Sequence, residues 1–164
     1  MNPLILLLSV SSGTLLGAAI SGRLTRKQEE LAKLRNALTV MQNEICNYGA
    51  GLSQAASYAA LFHKCTLIRQ LSDTLKQPSG NNTPLQWSAL IEGSGFPPEV
   101  RTALNALFGC VERFDSDAIF RQFDTTIATV AQYEEALRAK NLRFVPLYRK
   151  IGLLGGIALA ILLM

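Results

Sequence analysis

The sequence is poor in charged residues, in aromatic residues and in the side chains that carry out catalysis. Asp, Glu, Lys and Arg make up 17% of the 164 residues and aromatics 7%, whereas soluble domains are usually about 25% charged. There is one histidine, His63, and there are three cysteines, Cys46, Cys65 and Cys110. These shortages argue against a disulfide scaffold, a disordered tail and a nucleic-acid binder with a large basic surface.

The residue spacing also argues against a metal site or an active site. His63 and Cys65 are two residues apart, so on a helix they point about 200° apart and cannot coordinate the same metal ion. The GSG sequence at 93–95 lacks the Lys and the Ser or Thr of a phosphate-binding loop. Glu134 and Glu135 diverge by about 100° on a helix, so they do not form a carboxylate pair. We therefore predict that the protein is not an enzyme and has no catalytic residues, no metal and no cofactor.

Both ends of the chain are apolar and free of charged side chains, because every charged residue lies between Arg23 and Lys150. Residues 3–22 form an uncharged run that would span about 30 Å as a helix, the thickness of a hydrocarbon core. The final run, 151–164, is shorter, but Arg149 and Lys150 can extend it by snorkelling to the headgroups. We predict transmembrane helices over 3–22 and 148–164. A secretory signal peptide is the alternative for the first run, although no cationic residue precedes it.

A basic collar follows the first apolar run and precedes the second. Its seven cations are Arg23, Arg26, Lys27, Lys140, Arg143, Arg149 and Lys150. By the positive-inside rule, residues 23–147 are cytoplasmic and both termini lie outside the cell membrane. Without the collar the chain has 9 basic against 12 acidic residues, a net charge of −3. The basic residues therefore predict membrane lipid as a partner and no nucleic acid.

Small residues recur every four positions in both apolar runs, which places them on one face of each helix. Such stripes are typical of helix contacts in lipid. Two interpretations remain open: the two runs pack against each other, with small residues simply common in membrane spans, or the stripes contact another membrane subunit. The stripe residues are Ser9, Gly13, Gly17 and Ser21 in the first run and Gly152, Gly156 and Ala160 in the second.

The cytoplasmic segment is predicted to be all-α, a bundle of about six helices tethered to the membrane. The first helix has a heptad seam, and Tyr48, Gly49 and Gly51 end it.

Prolines start the fourth and fifth helices at Thr83–Pro84 and Pro97–Pro98. Residues 115–117 start the last helix, which runs into Pro146. The first and last helices should be antiparallel, because both meet the same membrane face. The expected apolar positions are Leu24, Leu31, Leu34, Leu38, Met41 and Ile45 in the first helix, Ala55, Ala56, Ala59 and Phe62 in the second, Leu67, Ile68, Leu71 and Leu75 in the third, Val100, Leu104, Leu107, Phe108 and Val111 in the fifth, and Phe120, Phe123, Ile127, Val130, Leu137 and Phe144 in the last.

Several short motifs resemble the stage III sporulation protein AB family. They are Glu30-Leu31, Leu34-Arg35, Leu38, Glu44-Ile45, Tyr48, residues 52–55, Phe108-Gly109, Asp117 with Gln122, residues 147–156 and residues 161–163. One departure is Gly51, where the family usually has proline. The family is similar to the inner-membrane platform F protein of type II secretion, which has a six-helix cytoplasmic domain. The resemblance implies a mother-cell membrane protein around the forespore, within a channel complex that includes a secretion-type ATPase.

The predicted function is a non-enzymatic scaffold that positions this ATPase at the membrane beside other channel-complex subunits. Four clustered carboxylates form a candidate docking surface for a basic partner, with ordinary helix capping as the alternative. This acidic cluster consists of Glu112, Asp115, Asp117 and Asp124. The rival function is a membrane-anchored helical sensor or regulator that has no motor partner. Self-association into a homo-oligomer is compatible with both functions.

Overall fold

The structure, a computed structural model, describes residues 22, 25–76, 83–111 and 116–162, and within these ranges it contains six helices and no strand. The predicted all-α class is therefore confirmed. Helix α1 covers residues 25–42 and continues into a π-helical turn at Asn43–Asn47. The other helices are α2 (Leu52–His63), α3 (Thr66–Lys76), α4 (Thr83–Gly93), α5 (Pro98–Val111) and α6 (Ser116–Leu162).

The two predicted membrane spans differ in how much of them the structure describes. Residues 3–21 lie outside the described residues, whereas 148–162 form the end of α6. In the described part of the chain no helix is both long and apolar enough to cross a membrane, so the flanking transmembrane helices are not supported there.

The chain divides into two compact units. Unit 1 comprises residues 1–29 and 135–164, and unit 2 comprises residues 30–134. In unit 2, α1 and α6 are antiparallel, as predicted. Arg35 Nη1 lies 3.0 Å from Glu134 Oε2, and Gln42 Nε2 donates to Asp124 Oδ1 at 2.8 Å, so later residues of α1 meet earlier residues of α6.

The core of unit 2 confirms most of the predicted apolar positions. The buried side chains include Leu31, Leu34, Leu38 and Met41 of the α1 seam and Phe123 and Val130 of α6. Of the rest of the seam, Ile45 is half-buried and Leu24 lies outside the described residues. Burial of a heptad seam explains why α1 forms a helix that faces the other elements along most of its length.

The shorter helices pack in sequence order, α2 on α3, α3 on α4 and α4 on α5. Ala55, Ala56 and Ala59 form the buried face of α2, and such small side chains let two helices approach closely. The Ser57 and Ser72 hydroxyl groups hydrogen-bond across α2 and α3 at 2.9 Å. Between α4 and α5, the buried rings of Trp87 and Phe108 lie 3.7 Å apart, centroid to centroid, and are tilted by 51°.

The structure differs from the expected pattern at three aromatic or proline positions. Phe62 and Phe120 were expected on apolar faces, but both are exposed. Pro146 was expected to mark the end of the last cytoplasmic helix, but α6 continues through it to Leu162. Proline removes a single backbone N–H from a helix and usually kinks it without always ending it.

Candidate interaction surfaces

Chemistry at single residues is limited in the described part of the chain. No group of three or more His, Cys, Asp or Glu side chains there is placed to hold a metal ion. Burial raises the pKa of the Cys65 thiol. Burial also raises the pKa of the Cys46 thiol, and the nearby Asp124 carboxylate raises it further. Because the thiolate is the reactive form of cysteine, both thiols are poor nucleophiles at neutral pH.

The described members of the basic collar all belong to unit 1 and are all exposed. Arg26 and Lys27 lie on α1, and Lys140, Arg143 and Lys150 lie on α6. The structure brings the two groups together, because Asn141 Nδ2 donates to Gln28 Oε1 at 3.0 Å. Asn141 is 5% exposed, so the bond between the two helices is partly shielded from water. Arg23 lies outside the described residues, as does the side chain of Arg149.

Large aliphatic side chains line one face of α6 beyond the first collar residues. These exposed residues, the aliphatic stripe, are Leu147, Ile151, Leu154 and Ile157. Their steps of four, three and three residues keep them on one side of a helix. A contiguous apolar surface of this kind is unfavourable in water and marks a place where lipid or another protein binds. Of the predicted small-residue positions, Ser9, Gly13, Gly17 and Ser21 lie outside the described residues, and Gly152, Gly156 and Ala160 lie in α6 without described surroundings.

The structure describes half of the acidic cluster. Asp117 and Asp124 are exposed on α6, seven residues apart and so on one face. Phe120 lies between them and is 46% exposed. The sequence pattern did not identify Phe120 as a surface residue. Its position three residues after Asp117 and four before Asp124 does, however, place it on the same face of a helix as the two carboxylates. Glu112 and Asp115 lie outside the described residues.

A second apolar surface occupies the end of α2. This α2 patch consists of Tyr58, Leu61 and Phe62, and the two aromatic rings lie 4.8 Å apart, centroid to centroid. The patch was missed at the sequence level because Phe62 fitted the apolar spacing of the alanines. Which residues of α2 become buried depends on the neighbouring helices, which include α3, and the structure buries the alanines and leaves the patch exposed.

The comparisons with known proteins bear on the whole chain. Comparison with curated proteins finds no match, and neither does comparison with solved structures. A family model described as Stage III sporulation protein AB matches residues 3–164, which include both apolar runs and all six described helices. The resemblance seen in the short motifs is thereby confirmed. The chain belongs to the stage III sporulation protein AB family.

Proposed function

We propose that this stage III sporulation protein is a non-enzymatic scaffold in the membrane around the forespore. In this proposal residues 3–22 and 148–164 cross the membrane, both termini lie outside, and the helical segment between them is cytoplasmic. The segment positions a secretion-type ATPase within a channel complex. Family membership supports the link to sporulation, and the surfaces of the two units support the membrane anchor and the docking role.

The observation that carries the membrane anchor is the order of side chains along α6. The exposed cations Lys140 and Arg143 precede the aliphatic stripe in the sequence, and Lys150 lies near its beginning. The rest of the stripe contains no charged residue. Anionic lipid attracts each cation near its surface by about 1 kcal/mol. Hydrocarbon covers apolar side chains at a gain of about 25 cal/mol per Å² of surface removed from water. A helix with cations followed by exposed aliphatics is therefore suited to a headgroup region that borders an apolar layer.

The cations of α1 strengthen this interpretation. Arg26 and Lys27 are exposed within two residues of Gln28, whose side chain is hydrogen-bonded to Asn141 of α6. Cations that are distant in the sequence thus lie on two helices of unit 1 that are hydrogen-bonded to each other. A protein with a membrane span at each end is expected to have cations next to both spans, and the basic collar has this arrangement.

The docking role is assigned to the acidic cluster together with Phe120. The exposed ring between Asp117 and Asp124 adds apolar surface to a negatively charged face. Aromatic side chains are enriched in protein interfaces, whose rim is polar. Capping accounts for Asp117, which lies in the first turn of α6. Asp124, two turns further along, is not a capping residue, and its carboxylate accepts a hydrogen bond from Gln42 of α1.

Co-purification from a mild detergent tests the scaffold. We expect the secretion-type ATPase to elute with the full chain, and charge reversal of all four cluster residues to Lys to remove the ATPase without loss of helical circular dichroism. The matched control reverses two exposed carboxylates elsewhere in unit 2, Asp73 and Glu92, which should retain the ATPase. Isolation of the wild-type chain with lipid and without an ATPase would contradict the scaffold and favour the sensor or regulator.

A further inference from the structure

Helix α2 buries its smallest side chains and exposes its largest. Ala55, Ala56 and Ala59 are completely buried, whereas Leu61 is 76% exposed and Phe62 is 62% exposed. A helix that packs only against its own domain shows the reverse arrangement, with its large apolar side chains covered. The α2 patch thus presents a protruding apolar surface that unit 2 itself does not cover.

The charged residues closest in sequence to the α2 patch, Lys64 and Arg69, are both cations. Between residues 45 and 72 the chain contains Lys64 and Arg69 and no Asp or Glu. Both cations are exposed, and Lys64 directly follows α2 in a left-handed conformation (φ 43°) that ends the helix. Aromatic, aliphatic and lysine side chains within two helical turns are typical of segments that lie in the headgroup region of anionic membranes. Charge complementarity therefore favours an anionic lipid surface as the occupant.

The chain keeps this end of α2 near the beginning of α1 within unit 2. The Cys65 thiol lies close enough to Glu30 and Lys33 for their charges to influence its pKa. Glu30 follows Lys27 of the basic collar by three residues, and three residues of chain span at most about 11 Å. The covalent link alone therefore limits how far Glu30 is from a lipid surface that Lys27 contacts.

We propose that the α2 patch and Lys64 form a second lipid-contact site. Tyr58, Leu61 and Phe62 enter the headgroup region of an anionic membrane, and Lys64 pairs with lipid phosphate or carboxylate groups. The site rests on the proposed function, because it acts in a chain that is held at a membrane. It adds to that function, because it gives the cytoplasmic bundle a direct contact with lipid. That contact limits the rotation of the bundle about the two transmembrane helices.

Lipid-borne quenching of a fluorophore tests this site in the full chain. Leu61→Cys, in a background with the three native cysteines changed to alanine, is labelled with an environment-sensitive dye. The chain is then reconstituted into phosphatidylcholine vesicles with and without phosphatidylserine, each with a spin-labelled lipid. Thr125→Cys, an exposed position on α6, is the matched control. Emission of the single tryptophan, Trp87, which is buried, reports whether each variant is folded.

We expect the dye at position 61 to lose fluorescence with spin-labelled lipid, more so with phosphatidylserine, and the dye at position 125 to be unaffected. Lys64→Gln should reduce the loss at position 61. If the chain remains anchored in the vesicles but quenching is equally small at both positions, the proposed lipid site is wrong and the anchor is not. Shielding of position 61 from aqueous iodide without quenching by lipid would also overturn it, because a protein would then cover the patch.

A chain that leaves membranes without detergent would refute the anchor, and the patch is then tested separately. In that case the soluble chain is mixed with phosphatidylserine vesicles. Binding that is lost in Leu61→Ser/Phe62→Ser and is about fivefold weaker in Lys64→Gln supports the lipid site. Absence of vesicle binding by the wild-type chain overturns it.

Discussion

Arg35 and Glu134 join α1 to α6 through an ion pair whose carboxylate is mostly covered. The side chain of Glu134 is 15% exposed and that of Arg35 is 38% exposed, with 3.0 Å between Nη1 and Oε2. We expect Arg35→Ala to lower the free energy of unfolding by about 1 kcal/mol, because it leaves a largely desolvated carboxylate without its cation. Urea denaturation followed by Trp87 fluorescence measures the change.

The pair Lys33–Glu30 is the control for this prediction. Its 2.9 Å contact joins neighbouring turns of α1, and both side chains are more than a third exposed. Lys33→Ala should therefore cost only about 0.2 to 0.5 kcal/mol. If the two variants lose the same free energy of unfolding, the ion pair between α1 and α6 contributes no more to stability than an exposed pair within one helix.

Tyr133 and Glu99 form a pH-sensitive link between α6 and α5. The Tyr133 hydroxyl donates to the Glu99 carboxylate, which lowers the pKa of Glu99 and raises the pKa of Tyr133. Since the folded-state pKa of Glu99 is depressed, its contribution to stability is present above the unfolded-state pKa and is lost as pH falls through the lower value. In Tyr133→Phe we expect the Glu99 pKa to rise towards its ordinary value, as measured by carboxyl NMR titration. An unchanged Glu99 pKa would contradict the hydrogen bond.

Individual residues were predictable where a local pattern determines burial. Leu34 and Leu38 belong to a heptad seam, and both are completely buried. The partner of Arg35 was not predictable, because it depends on the register of two helices about a hundred residues apart. Phe120 was misassigned because its spacing fits both the apolar face and the acidic face of α6.

At the scale of elements, the packing of α4 on α5 includes a buried aromatic pair. Trp87 and Phe108 are both nearly completely buried. Phe108→Ala should cost about 3 to 5 kcal/mol, through lost burial and the cavity that remains. Phe120→Ala removes the same side chain from an exposed site and should cost far less. Thermal unfolding of the two variants checks this prediction, and similar midpoints would contradict the assigned burial.

Helix starts were predictable where proline marks them, and the end of the first helix was predictable where glycine marks it. Thr83 and Pro98 begin α4 and α5 as the proline positions indicated, because proline fits the first turn of a helix without loss of a hydrogen bond. The π-helical turn at Asn43–Asn47 had no such signal. It is followed by Gly49 in a left-handed conformation (φ 66°), and the Ala50 N–H donates to the Glu44 carbonyl at 2.9 Å.

For the whole molecule, the all-α class and the family followed from the sequence, since apolar periodicity and the terminal motifs are properties of the chain itself. The exposed surfaces did not follow, because exposure is defined by which faces the neighbouring helices cover. The α2 patch is the example: Phe62 fits the apolar spacing of the alanines, yet Ala55, Ala56 and Ala59 are buried and Phe62 is exposed.

The membrane anchor predicts the effect of charge within the aliphatic stripe. A lysine at the centre of a spanning helix costs about 2.5 to 3.5 kcal/mol, so Leu154→Lys/Ile157→Lys should weaken retention of the full chain in membranes. Gln70→Lys/Thr66→Lys, at exposed positions of α3, adds the same charge outside the stripe and should leave retention unchanged. Fractionation of cell membranes followed by immunoblotting measures both.

Alkaline and high-salt washing of membranes from cells that produce the full wild-type chain tests the central claim most directly. The account predicts that the chain stays in the pellet after both washes and is released only by detergent, because apolar burial and not charge alone holds it there. Recovery of the chain in the supernatant without detergent would contradict it.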